Sequence, residues 1–136
     1  MKVAIVKYNA GNAVSVANAL KRLGVEAIVT DSPDELRSAE RIIFPGVGEA
    51  STAMRYLRDR QLDTLIPSLK QPVLGICLGM QLMSAYSDEN NATCLNIFPH
   101  RVRRFESDEL KVPHTGWNRI EDLKSPLFAG LSDGEY

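Results

Sequence analysis

Cysteine, histidine and tryptophan are scarce in this chain, whose 136 residues hold two cysteines, two histidines and one tryptophan. Cys77 and Cys94 form no C-x-x-C pair, and no Cys/His spacing suits zinc, so neither a disulfide framework nor a metal site is expected. Charge of one sign is not in excess either: 16 Lys and Arg face 17 Asp and Glu, a formal net charge of −1. That balance gives no electrostatic reason to expect nucleic acid or an anionic membrane as partner. No apolar run approaches the ~20 residues of a membrane helix. The opening, MKVAIVKYNAGN, is too short in apolar residues for a secretory signal core. With unpaired cysteines and no signal, a reducing, cytoplasmic location is expected.

What remains is an ordinary globular composition, 44% hydrophobic and 24% charged, of a length that suits one domain over residues 1–136. The first half alternates short apolar runs with helical patterns, which predicts βαβ units and a mostly parallel sheet. Lys2 to Lys7 reads as a strand. Asn12 can cap a helix over Ala13 to Leu23, which Gly24 ends. Val25 to Thr30 is the second strand, and Ser32-Pro33-Asp34-Glu35 carries the cap, first-turn proline and capping-box glutamate of another helix. Arg41 to Phe44 is the third strand, followed by helices from about Ala50 to Arg60 and Leu62 to Leu69. Pro72 to Ile76 is the fourth strand. After Asp88 the helical periodicity disappears, Lys111 to Ile120 reads as strand and loop around a buried tryptophan, and Ser125-Pro126 starts a short helix.

Two short segments carry chemistry. Gly75-Ile76-Cys77-Leu78-Gly79 has the form of a nucleophile elbow, a sharp strand-to-helix turn with cysteine at its apex. Small residues two before and two after let the backbone bend, and a thiol at a helix N-terminus is favoured as thiolate, the attacking species. The N–H of the next residue, Leu78, then points to where an oxyanion would form. Pro45-Gly46-Val47-Gly48 follows a strand at the position where such sheets place ligand loops. It completes neither a dinucleotide fingerprint nor a P-loop. An elbow cysteine beside a second loop of backbone donors is what acyl transfer requires.

Taken in order, PGVG, LGICLGMQL and KVPHTGWN resemble the class I, triad-type glutamine amidotransferases. Within them the likeness is strongest to the glutaminase subunits of imidazole glycerol phosphate synthase in histidine biosynthesis. Tyr8-Asn9-Ala10-Gly11-Asn12 is similar to that group's opening D-Y-G-x-G-N, with Lys7 and Asn9 replacing the usual aspartate and first glycine. The resemblance implies a three-layer, flavodoxin-like fold with helices on both faces of the sheet. It makes Cys77 the nucleophile that attacks the glutamine side-chain amide, and Leu78 and Val47 the backbone donors of the oxyanion hole. Val47 would take that role after a peptide rearrangement. It places Gly46, Gly48, Gly79, Gln81 and Glu89 around the substrate. Asn12 and Pro113-His114-Thr115-Gly116-Trp117-Asn118 would face a (β/α)8-barrel cyclase subunit that receives the ammonia. No cofactor is implied.

The base and orienting carboxylate that such a thiol needs come, in the family, from a downstream H-P-E motif. Neither His100 nor His114 is followed by Pro-Glu. His100 reads as a surface or packing residue and His114 as part of the interface segment. Family members are longer, so the resemblance implies a domain incomplete at its C-terminus and a 136-residue chain with little glutaminase activity. Two alternatives stay open from the residues alone: another class I amidotransferase, such as the pyridoxal type, and a non-catalytic flavodoxin-like binding module. The intracellular-protease type of elbow protein has histidine directly after the cysteine, where this chain has Leu78.

Overall fold

The computed structural model describes residues 1–134. The two residues after them, where the incomplete domain is expected to break off, lie outside the described residues. The chain divides into a unit spanning Met1–Arg104 and a second that begins at Phe105.

In the first unit, β1 (Val3–Val6), β2 (Ala27–Thr30), β3 (Arg41–Phe44) and β4 (Val73–Gly75) form one sheet in the order β2-β1-β3-β4. All its pairings are parallel, as the alternating pattern predicts. The chain moves from β1 out to β2 and then reverses across β1 to β3. Right-handed crossovers therefore put α1 (Ala13–Arg22) on one face, and α2 (Pro33–Ser38), α3 (Ala50–Asp59) and α4 (Leu62–Ser68) on the other. A short α5 (Leu78–Met83) follows β4 and leads into a small second sheet. That sheet has the order β6-β5-β7, from β5 (Ser84–Ser87), β6 (Ala92–Thr93) and β7 (Phe98–Val102). Sequence periodicity did not foresee it, because its strands are short and broken by polar turns.

Strand alternation sorts the core. Ala4, Val6, Ile42 and Phe44 point to one face and pack with Leu36, Met54, Leu57, Leu62, Ile66, Leu78 and Leu82, all essentially inaccessible. Val3 and Ile5 point to the other face and are buried too, but α1 contributes no fully buried residue. Leu74, paired with Ile43 on this second face, and Ile76 two residues on remain 40% and 41% exposed. The sheet is thus thickly covered on one side and thinly on the other.

Local expectations met mixed outcomes. Gly24 closes α1 at φ 73°, as a left-handed C-terminal residue should. Asn12 and Ser32 make no side-chain capping bond. Glu35 is not used to close a capping box; its carboxylate accepts from the Thr30 hydroxyl, which in turn accepts from the Ser32 N–H. The cap that does form is Glu49, whose carboxylate accepts from the N–H groups of Ser51 at 2.6 Å and Thr52 at 3.1 Å. In the second unit, Lys111 to Ile120 forms no strand and Trp117 is fully exposed, against the expectation of a buried tryptophan. Pro113 cannot donate to a ladder and Gly116 favours a turn, so the segment lacks a sheet to seat the indole. The expected short helix there is a single 3₁₀ turn, Pro126–Phe128, capped by the Ser125 side chain.

The packing of α5 on β3 is very close. A Cβ on Gly79 would lie 1.7 Å from the Phe44 carbonyl oxygen. Gly79→Ala should therefore lower stability by about 3 kcal/mol or more, read as a fall in the urea midpoint at unchanged slope. Glu49 offers a pH test. Hydrogen bonds from Ser51 and then Thr52 hold its carboxyl down at about 2, against about 4.3 in an unfolded chain. A depressed native value stabilises above the unfolded value and is lost as pH falls toward the native one. The melting-temperature gap between wild type and Glu49→Gln should thus be fullest above pH ~5 and close as pH falls toward ~2. A gap that widens on acidification would contradict this assignment.

Candidate active site

Cys77 sits at the apex of the turn between β4 and α5 with φ 52° and ψ −114°, outside the favoured regions for any residue with a side chain. Such a conformation costs about 1–3 kcal/mol and persists only where neighbours enforce it. Here they do. The Ile76 N–H donates to the Phe44 carbonyl at 3.0 Å, and the Gly79 N–H to the Ile76 carbonyl at 3.0 Å. A Cβ on Gly75 would meet the Met83 sulfur at 2.6 Å and the Met80 backbone at 2.8 Å, so both flanking glycines are sterically required. Leu78 anchors the turn in the core while the Cys77 thiol is exposed. Cys94 is buried, and desolvation pushes its thiol above the ordinary range.

The second loop leaves the neighbouring strand β3 and touches the elbow. The Leu78 N–H donates to the Gly46 carbonyl at 3.2 Å. Gly46 is buried, whereas Val47 is half exposed and Gly48 adopts φ 128°. As it stands, the amide expected to receive an oxyanion is satisfied by a carbonyl of the other loop. Behind the loop lies Tyr8, from the end of β1, with its hydroxyl donating to the Pro45 carbonyl at 2.6 Å.

Gln81 and Glu89 are brought together. Gln81 Nε2 donates to Ser87 Oγ at 2.8 Å and to Glu89 Oε2 at 3.0 Å. The same Glu89 oxygen accepts from the Ala50 N–H at 3.0 Å, at the start of α3. A carboxylate there is favoured by the helix dipole. Glu89 is exposed, so it also remains open to a cation from solvent.

Beside the elbow lies a cleft of about 590 Å³ lined by Cys77, Met80, Gln81, Ser84, Phe98, His100 and Val102. His100, read from sequence as a surface or packing residue, is exposed and shares this cleft with the thiol. It is the fold that brings His100 there, on β7 in a sheet that the sequence pattern does not announce. That strand pairs in parallel with β5, and Arg101 reaches Asp88, just past the end of β5, at 2.6 Å and lies over the Tyr86 ring. Among the described residues no three His, Cys, Asp or Glu side chains cluster as a metal site would need. Asn12 is exposed at the head of α1. Pro113, His114, Thr115, Gly116, Trp117 and Asn118 are all exposed in the second unit.

Comparison with known proteins shows the chain's family and fold. The profile of the family Glutamine amidotransferase class-I matches residues 4–135. A Bacteroides fragilis protein named imidazole glycerol phosphate synthase subunit HisH is 56% identical over all of this chain, which spans 70% of that relative. The protein of the same name from Idiomarina loihiensis is 45% identical over 98% of the chain, covering 68% of its own length. A solved glutamine amidotransferase structure superposes with a TM-score of 0.64 at 23% identity, over 74% of this chain and 56% of that one, which shows a shared fold. No helix among the described residues is long and apolar enough to cross a membrane. The chain belongs to the class I glutamine amidotransferases.

Proposed function

We propose that this domain is the glutaminase part of an imidazole glycerol phosphate synthase, working in the cytoplasm on free glutamine. Cys77 is its nucleophile. The thiolate adds to the side-chain carboxamide carbon of glutamine, and the carbonyl π electrons move onto oxygen. Collapse of that tetrahedral species expels ammonia, with a proton supplied to the leaving nitrogen, and leaves a γ-glutamyl thioester. Water then cleaves the thioester to glutamate and regenerates the thiol.

The observation that carries this reading is the strained, exposed Cys77 whose following amide is aimed at Gly46. Rotation of the Gly46–Val47 peptide would withdraw the carbonyl and present the Val47 N–H in its place. One movement thus exchanges an acceptor for a second donor and frees the Leu78 N–H. A lost oxyanion donor costs about 3 kcal/mol in acyl-transfer enzymes, so this exchange would separate a resting from a working site. Gly46 and Gly48 suit the change because neither carries a Cβ to obstruct it. Gln81 and Glu89 hold the amino-acid end of the substrate, with the carboxylate facing the α-ammonium. Gly79 lets α5 approach closely enough to set that geometry.

Ammonia passes to a (β/α)8-barrel cyclase subunit, which this chain meets through Asn12 in the first unit and, in the second, through the exposed Pro113, His114, Thr115, Gly116, Trp117 and Asn118. Exposed tryptophan is a common anchor in protein interfaces. Neither nucleic acid nor membrane takes part, in line with the charge of −1.

Two measurements check the reading. The chloromethyl ketone analogue of glutamine should modify Cys77 and spare buried Cys94, and free glutamine should protect; unprotected labelling of both cysteines would refute a formed amide pocket. The H-P-E motif that provides the base in this family does not occur in these 136 residues. With a cyclase subunit present, ammonia release by this chain should stay below about 1% of that of a full-length relative, as expected without the imidazole. Comparable turnover would show that another group, such as His100 in the cleft, serves as base.

A further inference from the structure

Tyr8 stands out among the groups around the elbow because the reaction scheme gives it no task. It is a buried phenol at the end of β1, 8% exposed, with its ring 5.4 Å from that of Phe44. Its hydroxyl donates to the carbonyl of Pro45, the residue immediately before the peptide that has to turn. It also fills the space beside Gly46: a Cβ there would lie 1.8 Å from the hydroxyl oxygen. The phenol therefore presses against the Gly46 Cα while holding the preceding carbonyl.

We infer that Tyr8 is a positioning residue for the oxyanion loop, a latch that confines its rearrangement to the Gly46–Val47 peptide. This inference rests on the glutaminase reading above. With the Pro45 carbonyl held and proline's φ fixed by its ring, rotation upstream of Gly46 is blocked. Motion is left to the bonds on either side of the Gly46–Val47 peptide, which is the motion that swaps carbonyl for N–H at Leu78. Without the latch the Pro45–Gly46 peptide can rotate as well, and the Val47 amide then has several places to go. Misplacement of a reacting group by about 1 Å can cost about 100-fold in rate. The phenol stays a donor throughout the useful pH range. Burial raises its ionisation well above the ordinary tyrosine value, and a negative charge on Cys77 raises it further, so the latch holds when the thiol ionises.

The test is Tyr8→Phe, which removes only the hydroxyl. Inactivation of Cys77 is followed with two probes: the chloromethyl ketone of glutamine, whose ketone oxygen needs the oxyanion donors, and iodoacetamide, which does not. The expected result is a fall of about tenfold or more in the limiting inactivation rate with the ketone, with its half-saturating concentration and the iodoacetamide rate within about twofold of wild type. Replacement of Tyr8 by 4-aminophenylalanine, which keeps a donor aimed at Pro45, should restore the ketone rate. Equal ketone rates in wild type and Tyr8→Phe would overturn the latch while leaving the glutaminase reading intact. Failure of the wild type itself to react with the ketone in a glutamine-protected manner would overturn the glutaminase reading, and the latch with it. Should Tyr8→Phe fail to fold, the 4-aminophenylalanine variant decides: a wild-type ketone rate supports the latch, and a reduced rate with the donor in place overturns it.

Discussion

The site depends on a backbone that cannot relax. At φ 52° and ψ −114° the Cys77 peptide would fall into an ordinary conformation if it were free, and the thiol would leave the cleft. It is held from β3. The Phe44 carbonyl accepts the Ile76 N–H, and the absent Cβ of Gly79 lets α5 settle directly over that same carbonyl. One carbonyl therefore ties the strand before Cys77 to the helix after it. Leu78 and Leu82 supply the stabilisation that offsets the strain, since both are wholly buried in the main cluster.

Topology then gathers the other groups. The reversal between β1-to-β2 and β2-to-β3 opens a crevice at the carboxyl ends of β1 and β3, where sheets of this kind bind ligands. Tyr8 leaves β1 there, the Pro45–Gly48 loop leaves β3, and the elbow leaves β4 alongside. Because all these strands are parallel, their carboxyl ends fall on one edge, and residues far apart in sequence meet without any long loop. The Leu78 N–H donating to the Gly46 carbonyl at 3.2 Å joins the two loops in this arrangement.

Much of this was legible in the sequence, for identifiable reasons. Strands and helices of the first sheet follow from alternation and periodicity strong enough to survive tertiary context, and their ends move by only a residue or two. The elbow was legible because its glycines are imposed by contacts that no other residue could satisfy. The second sheet escaped notice, since strands such as Ala92–Thr93 are too short to show a period. Helix caps were misjudged because local motifs compete: Glu35 found the Thr30 hydroxyl, while Glu49, outside any expected motif, caps α3. Trp117 was expected inside as part of a strand-and-loop reading of Lys111 to Ile120, and no strand forms there to receive it. His100 went unrecognised because its neighbours in the cleft lie on α5 and in β5, a relation that only folding creates.

The central claim is that a strained cysteine and a rotatable glycine peptide together make one oxyanion site. A crystal structure of the covalent adduct formed with a glutamine ketone measures this directly. The account predicts the adduct oxygen within hydrogen-bonding distance of both the Leu78 and Val47 N–H groups, with the Gly46 carbonyl turned away. An adduct whose oxygen faces solvent, with Gly46 still accepting from Leu78, would contradict it.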